Sequence, residues 1–142
     1  MSGLYLIAAI AGRLVAIDSN QVDSVVDIGE IIPVPLSSSE VRGLAALRSR
    51  VVTVIDTCVA LGLPPSVTPP VRAVITLVDG HYYAILVDVL DDVAPFALAP
   101  LSRGIALDGG WARVASGMVE RDGEAVLAID LRQLIPCLTV AV

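Results

Sequence analysis

The chain contains no lysine. Its cations are nine arginines, set against fifteen carboxylates, for a net charge of −6 over 142 residues. Arginine without lysine is what codon bias produces. An acidic domain with no basic stripe is a poor match for nucleic acid or an anionic membrane surface. There is one histidine, and there are two cysteines. His81 has no second imidazole nearby in sequence, so no zinc spacing exists, and it reads as a solvated strand residue beside a turn. Cys58 and Cys137 make no disulfide framework and read as buried apolar fillers. A long hydrophobic run is also missing. The composition is 56% hydrophobic and mean hydropathy is +0.82. Yet the longest apolar stretch runs only from about Leu4 to Gly12, against the ~18 residues a membrane span needs. No cationic segment precedes it, and Gly12-Arg13 suits a hairpin turn better than a cleavage site. The expected location is therefore the cytoplasm, without membrane insertion. No phosphate loop or nucleophile elbow is present, so no cofactor and no catalysis are expected.

What is present is a series of short apolar segments punctuated by turn residues. Leu4–Ile10 and Leu14–Ile17 flank Ala11-Gly12-Arg13. Arg72–Val78 and Tyr82–Val87 flank Asp79-Gly80, and Val114–Glu120 and Ala125–Ile129 flank Asp122-Gly123; both pairs are strong hairpin signals. Val22–Ile28 is β-branched. Ile31–Leu36 carries Pro33 and Pro35, so it is an edge or an extended connection. Ser37 to Glu40 suits one capped helical turn. Val51, Val52, Val54 and Ile55 read as a strand buried on both faces. Asp56 and Asp130 each follow a strand and cap a short helix, over Thr57–Leu61 and Leu131–Ile135. Val89–Phe96 is less regular, and Leu98–Trp111 reads as loop. Strands at this spacing mean an all-β barrel or sandwich. Pro64 to Pro70 is the clearest linker and separates two strand-rich halves. The repeated Ile-Asp ending hints at an internal repeat.

Several residues carry two readings. Arg48 and Arg50 mark a positive edge on an acidic protein. Arg48 is an anchor for a partner or a surface charge held by a nearby carboxylate. Gly43 permits close backbone approach or makes a turn, and the turn is the simpler reading. Val25, Val41 and Leu44 belong to the core or to a docking contact. Trp111 is a lid over the second barrel or an interface anchor, and the lid is preferred. Val54-Ile55-Asp56-Thr57 is similar to the catalytic turn of aspartic proteases, which pairs two carboxylates. Cys58 stands where that turn needs glycine, so an enzyme using Asp56 is the minor alternative. A small β-barrel binding module outside signalling is another.

Val22 to Val26, Ile32-Pro33-Val34-Pro35, Val41-Arg42-Gly43, Leu47-Arg48, Val51 to Asp56 and Leu61-Gly62 together resemble the CheW family of chemotaxis coupling proteins. So do Val87-Asp88-Val89-Leu90, Gly117-Met118 and Leu127 to Leu131. The resemblance covers roughly Leu4 to Ile135. It implies one domain over residues 1–142, built from two intertwined five-stranded β-barrels. One is expected to span about 4–63 with the C-terminal segment, the other about 71–129. It further implies a cytoplasmic scaffold joining a chemoreceptor tip to the regulatory domain of a CheA-type histidine kinase. Val25, Val41, Gly43, Leu44, Leu47 and Arg48 would then contact receptor or kinase, several of them in a groove between the barrels. The chain departs from the family pattern at Ser49, where the family has glycine, and at Ser24, where it often has a glutamate that pairs with the arginine. Either Asp23 or Asp27 replaces that glutamate as the partner of Arg48, or the pair is absent and Arg48 is free. Thr53 stands for a common proline, and Thr57-Cys58 for a common Leu-Arg.

Overall fold

Three glycine-containing dipeptides organise the chain. Ala11 and Gly12, Asp79 and Gly80, and Asp122 and Gly123 all have positive φ at both positions, the backbone of the tight turn whose twist matches that of the flanking strands. They join β1 (Ser2–Ile10) to β2 (Arg13–Asp18), β6 (Arg72–Val78) to β7 (His81–Leu86), and β9 (Ala115–Arg121) to β10 (Glu124–Ile129). The remaining strands are β3 (Ser24–Asp27), β4 (Val41–Leu47), β5 (Arg50–Ile55) and β8 (Val89–Ala97). Helices α1 (Thr57–Ala60) and α2 (Gly109–Val114) and 3-10 turns at Ser19–Gln21 and Leu131–Leu134 complete the elements. This computed structural model describes residues 2–35, 39–64, 71–101, 107 and 109–135. Residues 36–38, 65–70 and Cys137, with the expectations placed on them, lie outside that set.

The strands form two five-stranded sheets, ordered β8-β1-β2-β10-β9 and β3-β6-β7-β5-β4. The sheets do not divide where the sequence does. Each takes one hairpin from one half of the chain and three strands from the other, so residues 4–63 and 71–129 are not two separate barrels. The exchange is made by two parallel pairs. β2 runs beside β10 with Val15 opposite Leu127, and β5 runs beside β7 with Thr53 opposite Tyr83. Among the described residues, the segment after one edge strand of each sheet meets the opposite edge strand at an isolated bridge. Ile32 exchanges backbone hydrogen bonds with Leu44, and Ala99 with Met118. The two halves also place a register shift at matching positions, before Gly43 in β4 and before Gly117 in β9. One sequence offset relates Gly43 to Gly117, Ile55 to Ile129 and Asp56 to Asp130.

Alternation along the strands distributes the apolar side chains among three clusters. Ile7, Ala16, Val126 and Ala128 face the inside of the first sheet. Val52, Val54, Ile75 and Leu86 face the inside of the second. Between the sheets lies the largest cluster, where Leu6, Ile17 and Ile129 meet Ile55, Val74 and Ile85. The central strands are therefore buried on both faces. That accounts for much of the hydrophobic composition, which a single core of this size would not need. Trp111 is part of this seam, only 6% exposed, with the Arg13 guanidinium 4.9 Å from its ring. It is a core residue of that seam, carried on α2. Gly110 brings it there. A side chain at Gly110 would place its Cβ 2.5 Å from the Leu61 backbone.

Candidate functional site

The segment opening at Val41 is an edge strand, and this was not legible in advance. Gly43 lies inside β4, not in a turn. Its φ is 150° and a Cβ there would sit 2.3 Å from the Ile32 carbonyl oxygen. The glycine thus permits the Ile32–Leu44 bridge at the edge of the second sheet. The ladder shifts register between Val41 and Gly43, and the extra residue, Arg42, points its Nε at Asp56 Oδ2, 3.4 Å away.

At the other end of β4 the chain turns in two residues, Arg48 and Ser49. Ser49, where the family resemblance places a glycine, does not take positive φ. Arg48 takes it instead, at 55°. The turn faces β3 across a cleft of about 290 Å³ lined by Asp23, Ser24, Val25, Val26, Leu47, Arg48, Ser49, Arg50 and Ile75. Three of the six expected contact residues, Val25, Leu47 and Arg48, come together here. Val25 is 38% exposed and so belongs to the surface, not the core. Val41, Gly43 and Leu44 lie further along β4. Val41 packs partly against the seam, Gly43 is buried, and Leu44 is half-buried beside Ile32. The cleft belongs to the second sheet alone, not to a groove between the two. Leu44, Ala46 and Val51 do share the outer face of that sheet with Ile32. Val51, expected to be buried, is 60% exposed, and Ile32 is 62% exposed.

The expected ion pair is redistributed. Asp23 receives Arg50 (3.4 Å) and Asp27 receives Arg72 (2.7 Å). Arg48 is exposed and has no hydrogen bond or ion pair among the described residues. Arg50, treated in the sequence as the twin of Arg48, also places its guanidinium 4.1 Å from the Tyr82 ring centroid. Tyr82 was missed because nothing local connects it to Arg50.

The carboxylates that suggested catalysis have structural partners. Asp56 Oδ1 accepts from the Val59 N–H, capping α1, and Oδ2 faces Arg42. Asp130 caps the Leu131–Leu134 turn and also accepts from the Gln21 amide. Burial would raise the Asp130 carboxyl, but hydrogen bonds from Arg132 and Gln21 outweigh it and hold the group below the ordinary 3.8. Its contribution to stability is therefore complete above that ordinary value and lost as pH falls through the lower folded value. Asp130→Asn should flatten this part of the acid limb in melts between pH 2 and 5. Asp130→Ala should cost about 1 kcal/mol at pH 7, the usual worth of a cap. Cys58 is only partly buried. Burial, then the Asp56 and Asp88 carboxylates, push its thiol up, so little thiolate is present at neutral pH.

A second, larger cleft of about 610 Å³ lies among α1, α2 and the Leu131–Leu134 turn, where Arg113 bonds the Ala60 and Gln133 carbonyls. None of the six expected residues lines it.

Comparison with known proteins places this geometry in context. The family model described as the CheW-like domain matches residues 4–137. A crystal structure of the scaffolding protein TtCheW from Thermoanaerobacter tengcongensis is similar to the chain with a TM-score of 0.80 and 22% sequence identity, over 94% of this chain and 92% of that one. A search of curated proteins finds no match. No helix among the described residues is long and apolar enough to cross a membrane.

Proposed function

The chain belongs to the CheW-like domain family, and from this premise we propose that it is a cytoplasmic, non-catalytic adaptor coupling chemoreceptors to a CheA-type histidine kinase. Proteins of this family are scaffolds and not enzymes, and Asp56 and Asp130 are engaged as helix caps. The observation that carries the reading is the family match over nearly the whole chain.

Arg48, Val25 and Leu47 form the receptor contact in this reading. An exposed cation beside apolar walls suits a helix that presents an apolar stripe and one carboxylate. The exposed Ile32 and Val51 on the second sheet, and Leu98 and Leu101 near the edge of the first, are the apolar patches for the kinase regulatory domain or a sister coupling domain.

Arg48→Ala should weaken binding of a chemoreceptor tip fragment by roughly 1–3 kcal/mol, the range of an arginine anchor. It should leave the melting temperature unchanged, because the side chain has no internal partner. Unchanged receptor binding in the folded variant removes Arg48 from the site. A large fall in melting temperature makes it structural.

A further inference from the structure

The two arginines of the cleft are used differently, and this sets their roles. Arg50 opens β5 and pairs in the ladder with Leu47, across the turn that holds Arg48 and Ser49. Its guanidinium lies over the Tyr82 ring on β7, and its Nη1 is 3.4 Å from Asp23 Oδ2. Asp23 is itself fixed to β6, since its backbone N–H donates to the Ile75 carbonyl at 2.7 Å. Arg50 thus ties the β4–β5 hairpin to β7, beside it in the sheet, and to Asp23, the residue that leads into β3. Planar stacking with simultaneous ion pairing is something arginine does and lysine does not. Arg48, by contrast, has a backbone conformation that non-glycine residues visit sparsely and that persists only where the surroundings enforce it. Its own side chain enforces nothing.

We infer that Arg50 is a positioning residue: through Asp23 and Tyr82 it holds the turn in the form that presents Arg48 to a partner carboxylate. This rests on the proposed receptor contact at the cleft, but part of it is testable without a partner. Arg50 stays exposed but its charge is engaged by Asp23, which leaves Arg48 as the cation of this cleft without an ion pair among the described residues.

The experiment has two arms. In the first, amide hydrogen exchange is followed in the free protein at residues 47–50. Arg50→Ala and Tyr82→Leu should each speed exchange there several-fold and leave β1 and β10 unchanged. Tyr82→Phe keeps the ring face and should match the unmodified protein. Unaltered exchange in Arg50→Ala overturns the inference whether or not a receptor binds. In the second arm, a helical-hairpin fragment of a chemoreceptor tip is titrated at low and high salt. Arg48→Ala and Arg50→Ala should each lose about tenfold in affinity, a moderate interface loss. Only Arg48→Ala should flatten the salt dependence, because it removes the unpaired charge that meets the partner, whereas the Arg50 charge is already offset by Asp23. Tyr82→Phe should retain affinity and Arg50→Lys should not. Arg50→Ala with full affinity, or with the same flattening as Arg48→Ala, overturns the positioning role. Failure of the unmodified protein to bind overturns the receptor reading instead, and the exchange arm still decides on Arg50.

Discussion

Replacing Gly43 by alanine should destabilise the protein by about 2–4 kcal/mol, the range of a severe backbone clash at a special conformation. Two costs coincide there. The φ of 150° lies where side-chain-bearing residues are strained, and the new Cβ would fall 2.3 Å from a carbonyl oxygen that cannot swing away. That carbonyl belongs to Ile32, which accepts the Leu44 N–H at 2.9 Å and donates back at 2.8 Å. Relief of the clash therefore breaks the bridge that holds the Ile32 segment against β4. Thermal melting should show the loss. Hydrogen exchange should show it first at Ile32 and Leu44. A stability change under about 0.5 kcal/mol, the range of an ordinary surface substitution, would mean that the bridge is dispensable. Gly117 stands at the repeat-related position, where a Cβ would meet the Ala99 carbonyl at 2.6 Å. Gly117 lacks the positive φ, so Gly117→Ala should show the clash alone and a smaller loss, on the first sheet.

Truncating Ile55 to alanine should cost about 2–5 kcal/mol, the usual range for a fully buried aliphatic side chain. Ile55 is 0% exposed in the cluster between the sheets. It stands opposite Val41 in one ladder and Ile85 in the other. The fall in melting temperature should be roughly 8–15 °C for a domain of this size. The shape of the transition is the sharper test. Because each sheet contains strands from both halves of the chain, neither sheet can persist alone. Near-UV circular dichroism, which reports Trp111 in the seam, and far-UV signal from the strands should lose intensity together. Two separated transitions would show that the sheets unfold independently and that the exchange does not couple them.

The hairpins were legible because their signals are local. Asp79-Gly80 and Asp122-Gly123 state the turn within two residues, and Asp56 and Asp130 state a cap within four. β4 was not legible. Gly43 looks like a turn residue until the Ile32 carbonyl approaching from outside is known. Arg48-Ser49 carries no glycine to announce a hairpin, and Arg48 bears the positive φ in its place. Helix α2 begins with Gly109-Gly110, poor helix formers, and its reason for being there is the Leu61 backbone pressed against Gly110. The exchange of strands between the halves depends on pairs such as Val15 with Leu127, separated by most of the chain. No local pattern encodes it, and the proline-rich stretch 64–70 suggested a division that the sheets ignore. At the cleft, Val25, Leu47 and Arg48 were identified through family resemblance. The clamp of Arg50 on Asp23 and Tyr82 needed β5, β7 and the residue before β3, far apart in sequence, to be brought together.

The adaptor role is tested most directly by reconstitution. The purified protein would be mixed with membranes bearing chemoreceptors and with a CheA-type kinase, and kinase in the membrane pellet would be measured with and without the chain. The kinase is predicted to sediment with the receptors when the chain is present, much less in its absence, and less again when Arg48→Ala replaces the unmodified protein. A folded chain that binds neither receptor nor kinase, and leaves the sedimented kinase unchanged, would contradict the account.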